Sequence, residues 1–234
     1  MRTCIITGAS DGIGKATAIE IARSREYDNL ILIARNSEKL KSVNNIIKDI
    51  INSKPIIYDL TNLDGIPNLI KKIYCEYKSI NCLINVAGYA DPQPLIQTSI
   101  GNLNRTYTIN VFAPVILIRE CVKYMRYNKE VSKILNVAST AGITPRPGWL
   151  SYASSKAAII AVSQTLSEEL AEYNIKVYTV SPGRCATVLR RKLAPNEDQS
   201  KIMQPEEVAK VISNLLSKDE KCLDGQNIIV RRKW

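Results

Sequence analysis

Tyr152 and Lys156 stand four residues apart in the segment YASSK, and this spacing places both side chains on one face of a helix. A nearby ammonium favours the phenolate form of a tyrosine and lowers its pKa, so the side chain can act as a general acid or base. The small residues around the pair, such as Ser151 and Ala153, leave room for a ligand. The segment therefore predicts an acid/base centre that exchanges a proton with a substrate oxygen.

The same spacing occurs at Tyr74 and Lys78, so the pair alone is weak evidence of function. That second pair closes a helical pattern ahead of a strand, where a solvated helix face is the simpler interpretation. Ser139 distinguishes the two cases, because it ends the apolar run that precedes Tyr152. In a parallel sheet, ligands bind beyond the carboxyl ends of the strands. Ser139 is therefore predicted to lie beside Tyr152 and to donate a hydrogen bond to the substrate oxygen.

A second candidate site is the turn TGASDGIG, which follows the first apolar run. Its glycines allow a tight turn and bring backbone N–H groups close to a phosphate at a helix N-terminus. An ordinary strand–helix turn that happens to be rich in glycine is the alternative. The strand and helix around the turn favour a dinucleotide pyrophosphate, with predicted contacts from Gly8, Ser10, Gly12, Ile13 and Gly14.

The end of the second apolar run indicates which dinucleotide binds. An NAD site usually has a carboxylate there, which holds the ribose 2′-hydroxyl. This chain has Arg35 instead, and a guanidinium can pair with a 2′-phosphate. A solvated arginine that opens a loop is the alternative, and Asp11 in the glycine turn has the wrong sign for a second phosphate contact. The sequence favours NADP(H) over NAD(H).

The elements that must position these residues alternate along the chain. Short apolar runs predict seven strands, at 2–7, 29–34, 54–59, 81–86, 133–138, 175–180 and 226–231. Helical patterns lie between them, at 13–25, 37–51, 62–78, 99–127, 150–173 and 205–217. This alternation predicts an α/β fold, doubly wound, with a parallel sheet and helices on both faces. We assign residues 1–234 to one domain and expect the polar loop 192–204 to be its most mobile segment.

Composition excludes several kinds of site. The chain has no histidine and its six cysteines include no CxxC pair, which excludes a Cys/His zinc site and histidine catalysis. No apolar run approaches the ~18 residues of a spanning helix, and the N-terminus has no apolar stretch long enough for a signal peptide. We therefore expect no metal, no membrane partner, reduced cysteines and a cytoplasmic location.

The net charge of +10 is compatible with binding to nucleic acid, to a membrane surface or to an anionic ligand. The basic residues are scattered, however, and the densest groups, 190–192 and 231–233, are only three residues long. No RNA or DNA motif accompanies them. A basic surface on a soluble protein is the preferred interpretation, and a nucleic-acid partner is not expected.

The combined motifs resemble the short-chain dehydrogenase/reductase family over essentially the whole chain. The resemblance rests on TGASDGIG at 7–14, NVAG at 85–88, Asn110, Ser139, YASSK at 152–156 and PG at 182–183. It implies a Rossmann-type fold with a seven-stranded sheet and hydride transfer between a nicotinamide and a carbonyl or secondary alcohol. It also implies a homo-oligomer, either a dimer or a tetramer. Val86 departs from the family pattern, because a second asparagine is frequent there.

The resemblance also implies roles for single residues. Tyr152 would be the general acid in reduction and the base in oxidation, while Lys156 would tune Tyr152 and bind the nicotinamide ribose. Asn110 would distort its helix and hold a water near Lys156, although the sequence alone is equally consistent with an ordinary helix asparagine. Asn85 would support the central strand. The further implied cofactor contacts are Asp59 at the adenine, Thr187 at the carboxamide, and Leu60, Asn85, Ala87, Gly88, Pro182 and Gly183.

Two kinds of function compete on this evidence. One is an NADP(H)-dependent carbonyl reductase or alcohol dehydrogenase with a small-molecule substrate, and the other is a dinucleotide sensor without catalysis. Binding alone requires no protonating residue, which favours the enzyme. Arg146, Arg184, Arg190 and Arg191 could favour an anionic substrate, such as the acyl group on an acidic carrier protein that related 3-oxoacyl reductases use. Solvation of a loop is the alternative for these arginines.

Overall fold

The computed structural model describes residues 1–232, and Lys233 and Trp234 lie outside this part. Its strands form a seven-stranded parallel sheet in the order β3-β2-β1-β4-β5-β6-β7. The strands are β1 Thr3–Thr7, β2 Asn29–Ala34, β3 Asn52–Ile57, β4 Cys82–Asn85, β5 Ser132–Val137, β6 Ile175–Pro182 and β7 Asn227–Val230. The predicted doubly wound α/β fold of Rossmann type is confirmed.

Helices cover both faces of this sheet. They are α1 Gly12–Ser24, α2 Ser37–Ile47, α3 Ile66–Tyr77, α4 Ile100–Tyr107, α5 Ala113–Met125, α6 Leu150–Leu170, α7 Val188–Leu193 and α8 Pro205–Leu216. The long helix predicted over 99–127 is interrupted, because the π-helical turn Thr108–Phe112 lies between α4 and α5. The short helix α7 was not predicted, since its sequence VLRRKL has no apolar periodicity.

Several predicted boundaries are wrong, among them the end of α2, which is Ile47 and not residue 51, and two of the differences have a physical reason. Strand β3 lies at the edge of the sheet and ends at Ile57, so Asp59 follows the strand and does not end it. An edge position tolerates Pro55, which has no N–H for a ladder bond. Helix α3 begins at Ile66 and not at residue 62, because Pro67 favours the first turn of a helix.

Alternate residues of the central strands fill two apolar layers. Ile6 of β1 packs in the layer that contains Ile21 of α1 and Ile212 of α8. Its neighbour Ile5 packs in the opposite layer with Ile70 of α3 and Leu117 of α5. Because both faces of the strand are buried, the sheet is a rigid support for the loops at its carboxyl edge.

The register of the strands brings the predicted motifs to one edge. Parallel pairing aligns Thr7 of β1 with Asn85 of β4, and Asn85 with Asn136 of β5. The glycine turn, the segment 86–88 and Ser139 follow these three strand ends. Residues that are far apart in the sequence therefore meet at the same end of the sheet.

The sequence also led to expectations about the state of the cysteines and about membrane-spanning helices. All six cysteines are free thiols, and Cys4, Cys82, Cys121 and Cys185 are buried. Within residues 1–232, no helix has both the length and the apolar character needed to cross a bilayer.

Candidate active site

An open groove of about 840 Å³ runs along the carboxyl edge of the sheet. Ligand pockets commonly measure about 300 to 1,000 Å³, so the groove has room for an extended ligand. The predicted site residues on its wall are Gly8, Ser10, Gly12, Ile13, Gly14, Arg35, Asp59, Leu60, Ala87, Gly88, Ser139, Tyr152, Lys156, Pro182, Gly183 and Thr187. The structure therefore brings the glycine turn, the strand ends and the YASSK segment together around one space.

Asn85 and Asn110 are the two predicted residues that do not line the groove. Asn85 is buried in the sheet, where its Nδ2 donates to Asn136 Oδ1 at 2.9 Å. Asn136 in turn donates to Ser163 Oγ at 2.9 Å, on α6. Asn85 thus supports the central strands, as the resemblance implied, and its position does not favour a direct contact with a cofactor.

The glycine turn allows backbone groups to approach one another closely. Gly8 and Gly12 have φ values of 68° and 51°, in the left-handed region that side chains disfavour. A Cβ on Gly14 would lie 2.1 Å from the Gly8 carbonyl oxygen, and a Cβ on Gly8 would lie 2.8 Å from Ala87 Cα. The turn leads directly into the N-terminus of α1, and Gly12, Ile13 and Gly14 of its first turn line the groove. This cradle fits a pyrophosphate.

Asp11 caps α1, since its carboxylate accepts the Gly12 N–H at 2.7 Å. The same carboxylate forms an ion pair with Lys39, in the first turn of α2. Pairing with Lys39 offsets the negative charge that argued against a second phosphate contact at Asp11. Sequence reasoning missed Lys39, although its place four residues after Arg35 at a helix start was a usable signal.

Arg35 lies at the end of the groove beyond β2. Its side chain is 56% exposed, and its Nη1 is 3.8 Å from the Asp59 carboxylate. Asp59 accepts hydrogen bonds from the backbone N–H and hydroxyl of Thr61, both at 2.9 Å. These bonds, with the charge of Arg35, lower the pKa of Asp59. This end of the groove therefore carries an exposed guanidinium and an ionised carboxylate that form a long ion pair.

Tyr152 and Lys156 occupy the first turns of α6 and are 8% and 4% exposed. The Lys156 ammonium donates to the Val137 carbonyl oxygen at 2.8 Å and lies 5.8 Å from the centre of the Tyr152 ring. Ser139 stands two residues after β5, where its Oγ accepts the Ala141 N–H at 3.1 Å. The three side chains converge on the groove, as predicted from their types and positions.

The turn after Ser139 packs tightly against α6. A Cβ on Gly142 would lie 2.7 Å from the backbone nitrogen of Ala157, closer than side chains tolerate. Glycine at this position and small residues along α6 therefore allow the two elements to touch. The close packing holds Ser139 beside Tyr152.

The protonation states differ from the expectation. Burial raises the pKa of Tyr152 above 10.0, and interaction with Ser139 and the charge of Arg146 oppose this rise only in part. Burial lowers the pKa of Lys156 to about 8. The prediction of a lowered pKa for Tyr152 is wrong for the protein's own groups, because burial dominates and the pKa is raised.

Asn110 lies in the π-helical turn between α4 and α5, so the helix is distorted where the resemblance implied. Its Oδ1 accepts the Tyr89 N–H at 2.8 Å, and its Nδ2 donates to the Tyr89 carbonyl at 2.8 Å and to Ser155 Oγ at 2.9 Å. A Cβ on Gly88 would lie 3.7 Å from both Asn110 Oδ1 and Lys156 Nζ. Asn110 therefore fixes the loop after β4 against α6, behind the groove wall.

Tyr74 and Lys78 take no part in the site. The Tyr74 ring stacks on Tyr124 at 4.0 Å, and neither member of the pair lines the groove. Arg105 does line it, with its guanidinium 4.7 Å from the centre of the Tyr89 ring. No sequence signal marked Arg105, because its approach depends on how α4 packs at the sheet edge.

The model of the short chain dehydrogenase family matches residues 2–198. The chain belongs to this family of oxidoreductases. The 3-oxoacyl-[acyl-carrier-protein] reductase FabG of Rickettsia felis is 32% identical, over 98% of this chain and 95% of its own length. The NADP-dependent 3-hydroxy acid dehydrogenase of Schizosaccharomyces pombe is 31% identical, over 97% of this chain and 92% of its own.

A solved structure supports the same assignment. A short chain dehydrogenase from Shigella flexneri, complexed with NADP, has a TM-score of 0.89 to this chain and is 26% identical. The match covers 97% of this chain and 96% of that one. The likeness extends over the whole sheet and its helices, so the fold of this chain is that of the family.

Proposed function

We propose that the protein is an NADP(H)-dependent oxidoreductase that interconverts carbonyl groups and secondary alcohols. The observation that carries the proposal is the convergence of Ser139, Tyr152 and Lys156 on the groove that begins at the glycine turn. A protein that only senses a dinucleotide needs the turn but not a buried phenol beside it. The arrangement therefore favours catalysis over sensing.

The residues of the site divide the chemistry between them. When bound, a reduced nicotinamide supplies a hydride to the substrate carbonyl carbon. Ser139 donates a hydrogen bond to the carbonyl oxygen and stabilises the charge that develops there. Tyr152 donates its proton to that oxygen, and the product is an alcohol. In the reverse direction the Tyr152 phenolate accepts the proton from the alcohol.

The pKa values suit reduction. Burial raises the pKa of Tyr152, so the phenol holds its proton at neutral pH and is ready to donate it. Lys156, whose pKa is about 8, is mostly an ammonium at neutral pH. Its protons beyond the one given to Val137 remain available for the ribose hydroxyls of a cofactor, which is the role that we assign to Lys156.

Two cations support NADP(H) as the preferred cofactor. Arg35 presents its guanidinium at the groove end where a 2′-phosphate would lie, and Lys39 stands one turn further on. Asp59 follows β3, whereas an NAD site usually has its acid at the end of β2, where this chain has Arg35. Asp59 and Leu60 remain the proposed contacts to the adenine.

The exposed surface supports a homo-oligomer. Leu95, Ile96, Ile100 and Phe112 are large apolar residues in or beside α4 that face solvent, and Ile96 is 99% exposed. A cluster of this kind commonly marks an interaction surface. We expect a dimer or tetramer, and light scattering of the purified protein measures its mass directly.

A carbonyl panel tests the function. We expect NADPH to be oxidised in the presence of neutral ketones, oxo acids and 3-oxoacyl thioesters, with a rate that depends on the carbonyl compound. NADPH that binds tightly and is oxidised with none of them would favour the sensor. A strong preference for 3-oxoacyl thioesters would favour the 3-oxoacyl reductase activity that the Rickettsia felis relative has by name.

A further inference from the structure

The four arginines that the sequence suggested as contacts for an anionic substrate have different surroundings in the structure. Arg184 and Arg190 both pair with Glu197, at 3.3 Å and 2.6 Å. Arg191 is exposed and does not line the groove. Arg146 has no carboxylate partner in the part of the chain that the structure describes, and its Nε is buried without a hydrogen-bond partner. A buried donor without a partner is costly, so Arg146 is the arginine with capacity for a ligand.

A second cavity, of about 350 Å³, adjoins the groove at Arg146. The two spaces share Thr140, Arg146, Gly183 and Arg184 as wall residues. The smaller cavity is also bordered by Lys201, Arg231 and Arg232, and none of its described wall residues is acidic. An anionic group that extends from the groove would therefore enter a positively charged space.

Most of these cations already interact with carboxylates. Lys201 lies 3.7 Å from Asp198, and Arg232 lies 2.7 Å from Glu207. Within residues 1–232, Arg146 and Arg231 have no such partner, and only Arg146 is partly buried, because Arg231 is exposed. A single guanidinium matches a monoanion, and its planar fork matches the two oxygens of a carboxylate.

Aromatic contacts hold Arg146 close to the proposed reaction centre. Its guanidinium carbon is 5.8 Å from the centre of the Trp149 ring. The Trp149 ring packs edge-on against Tyr152, with centroids 5.7 Å apart and planes at 70°. Arg146 is thus separated from the phenol by one aromatic ring. Arg146 and Tyr152 both line the groove, so a substrate whose oxygen lies at Tyr152 can have its other end towards Arg146.

We propose that Arg146 binds the carboxylate of the substrate, so that the protein acts on short oxo acids and hydroxy acids in preference to their neutral esters. The inference rests on the proposed oxidoreductase function and adds the substrate class. Arg146 is a specificity residue in this account, because it contacts the carboxylate and not the reacting carbonyl.

Kinetics with matched substrates test the proposal. Acetoacetate, 4-oxopentanoate and 5-oxohexanoate are compared with their methyl esters, with NADPH, for wild type and Arg146→Met. The variant keeps an unbranched side chain but loses the guanidinium and its charge. We expect kcat/KM for the best acid to fall about 10- to 100-fold, mainly through KM, and the esters to change by less than about twofold.

Two further variants test the role of the guanidinium shape and provide a control. Arg146→Lys keeps the charge without the fork, so we expect partial recovery of the acids. Arg191→Met is the matched control and should leave acids and esters unchanged, because Arg191 lines neither cavity. Equal losses for acids and esters in Arg146→Met, or no loss for either, would overturn the proposal. A stronger dependence on Arg146 for dihydroxyacetone phosphate than for any oxo acid would overturn the assignment of a carboxylate.

A binding measurement separates this inference from the proposed function. In a Trp234→Phe background, the fluorescence of Trp149 reports on its surroundings. We expect butyrate to change this fluorescence in a saturable way. Methyl butyrate should cause no change, and butyrate should cause no change in Arg146→Met. If no carbonyl compound is reduced but butyrate binds in this way, the proposed function fails and the carboxylate site stands. If ketones are reduced and butyrate does not bind, the carboxylate site fails alone.

Discussion

The ammonium of Lys156 donates a hydrogen bond to the carbonyl oxygen of Val137 at 2.8 Å, although Tyr152 lies one helical turn away on the same face. Lys156 is therefore anchored to the end of β5, the strand that also leads to Ser139. This contact fixes the ammonium under the groove wall, in position for a cofactor. It does not by itself make Tyr152 more acidic, because burial keeps the pKa of the phenol above 10.0.

The buried ammonium predicts a pH-dependent cost to stability. The pKa of Lys156 is lowered from 10.5 to about 8, which corresponds to about 3 kcal/mol against the charged form in the folded state. A lowered lysine pKa costs stability in full below pH 8, and the cost disappears as the pH rises from 8 towards 10.5.

Lys156→Met should therefore be more stable than wild type at pH 7, by less than about 3 kcal/mol because the bond to Val137 is lost. The difference should shrink by pH 10. Urea unfolding at both pH values measures it. A variant that is less stable than wild type at pH 7 would show that the ammonium is compensated in the folded state.

Arg35 should determine the choice between cofactors. Arg35→Ala removes the guanidinium at the groove end, and we expect about 10- to 100-fold weaker binding of NADPH, with less than about twofold change for NADH. Lys39→Ala should have a smaller effect, since Lys39 is paired with Asp11. Titration calorimetry with both cofactors gives the constants. Equal losses for NADPH and NADH in Arg35→Ala would remove the argument for a 2′-phosphate site.

Asn110 should act by positioning a loop. Asn110→Ala leaves the backbone N–H and carbonyl of Tyr89 without their partners, so we expect a loss of about 1 to 3 kcal/mol in the free energy of unfolding. We also expect a lower kcat, because the loop behind Lys156 loses its support. Asn104→Ala, at an exposed position of α4, is the control and should change neither quantity. Unaffected stability in Asn110→Ala would contradict this structural role.

The sequence allowed most of the site to be predicted, because strand ends in a parallel sheet meet at one edge. Gly8, Ser139 and Tyr152 could be assigned from their types and from the apolar runs that precede them. The relation of Arg146 to Tyr152, and that of Arg190 to Glu197, could not be predicted in this way. Both depend on how loops fold over the sheet, and loop contacts carry no periodic signal.

Burial explains the largest difference between prediction and structure. A lysine four residues from a tyrosine suggests a lowered phenol pKa, but the spacing contains no information about solvent. In the fold, desolvation acts on both groups and raises the pKa of Tyr152 while it lowers that of Lys156. The direction of each shift therefore follows from packing around α6 and not from the pair itself.

The measurement that tests the central claim most directly is single-turnover oxidation of bound NADPH by a ketone in Tyr152→Phe. We expect this variant to bind NADPH within about twofold of wild type and to react at least about 100-fold more slowly, because the proton donor is absent. Tyr74→Phe, which alters the tyrosine outside the groove, should react like wild type. Turnover in Tyr152→Phe within a few-fold of wild type would contradict the account, since the proton would then come from another group.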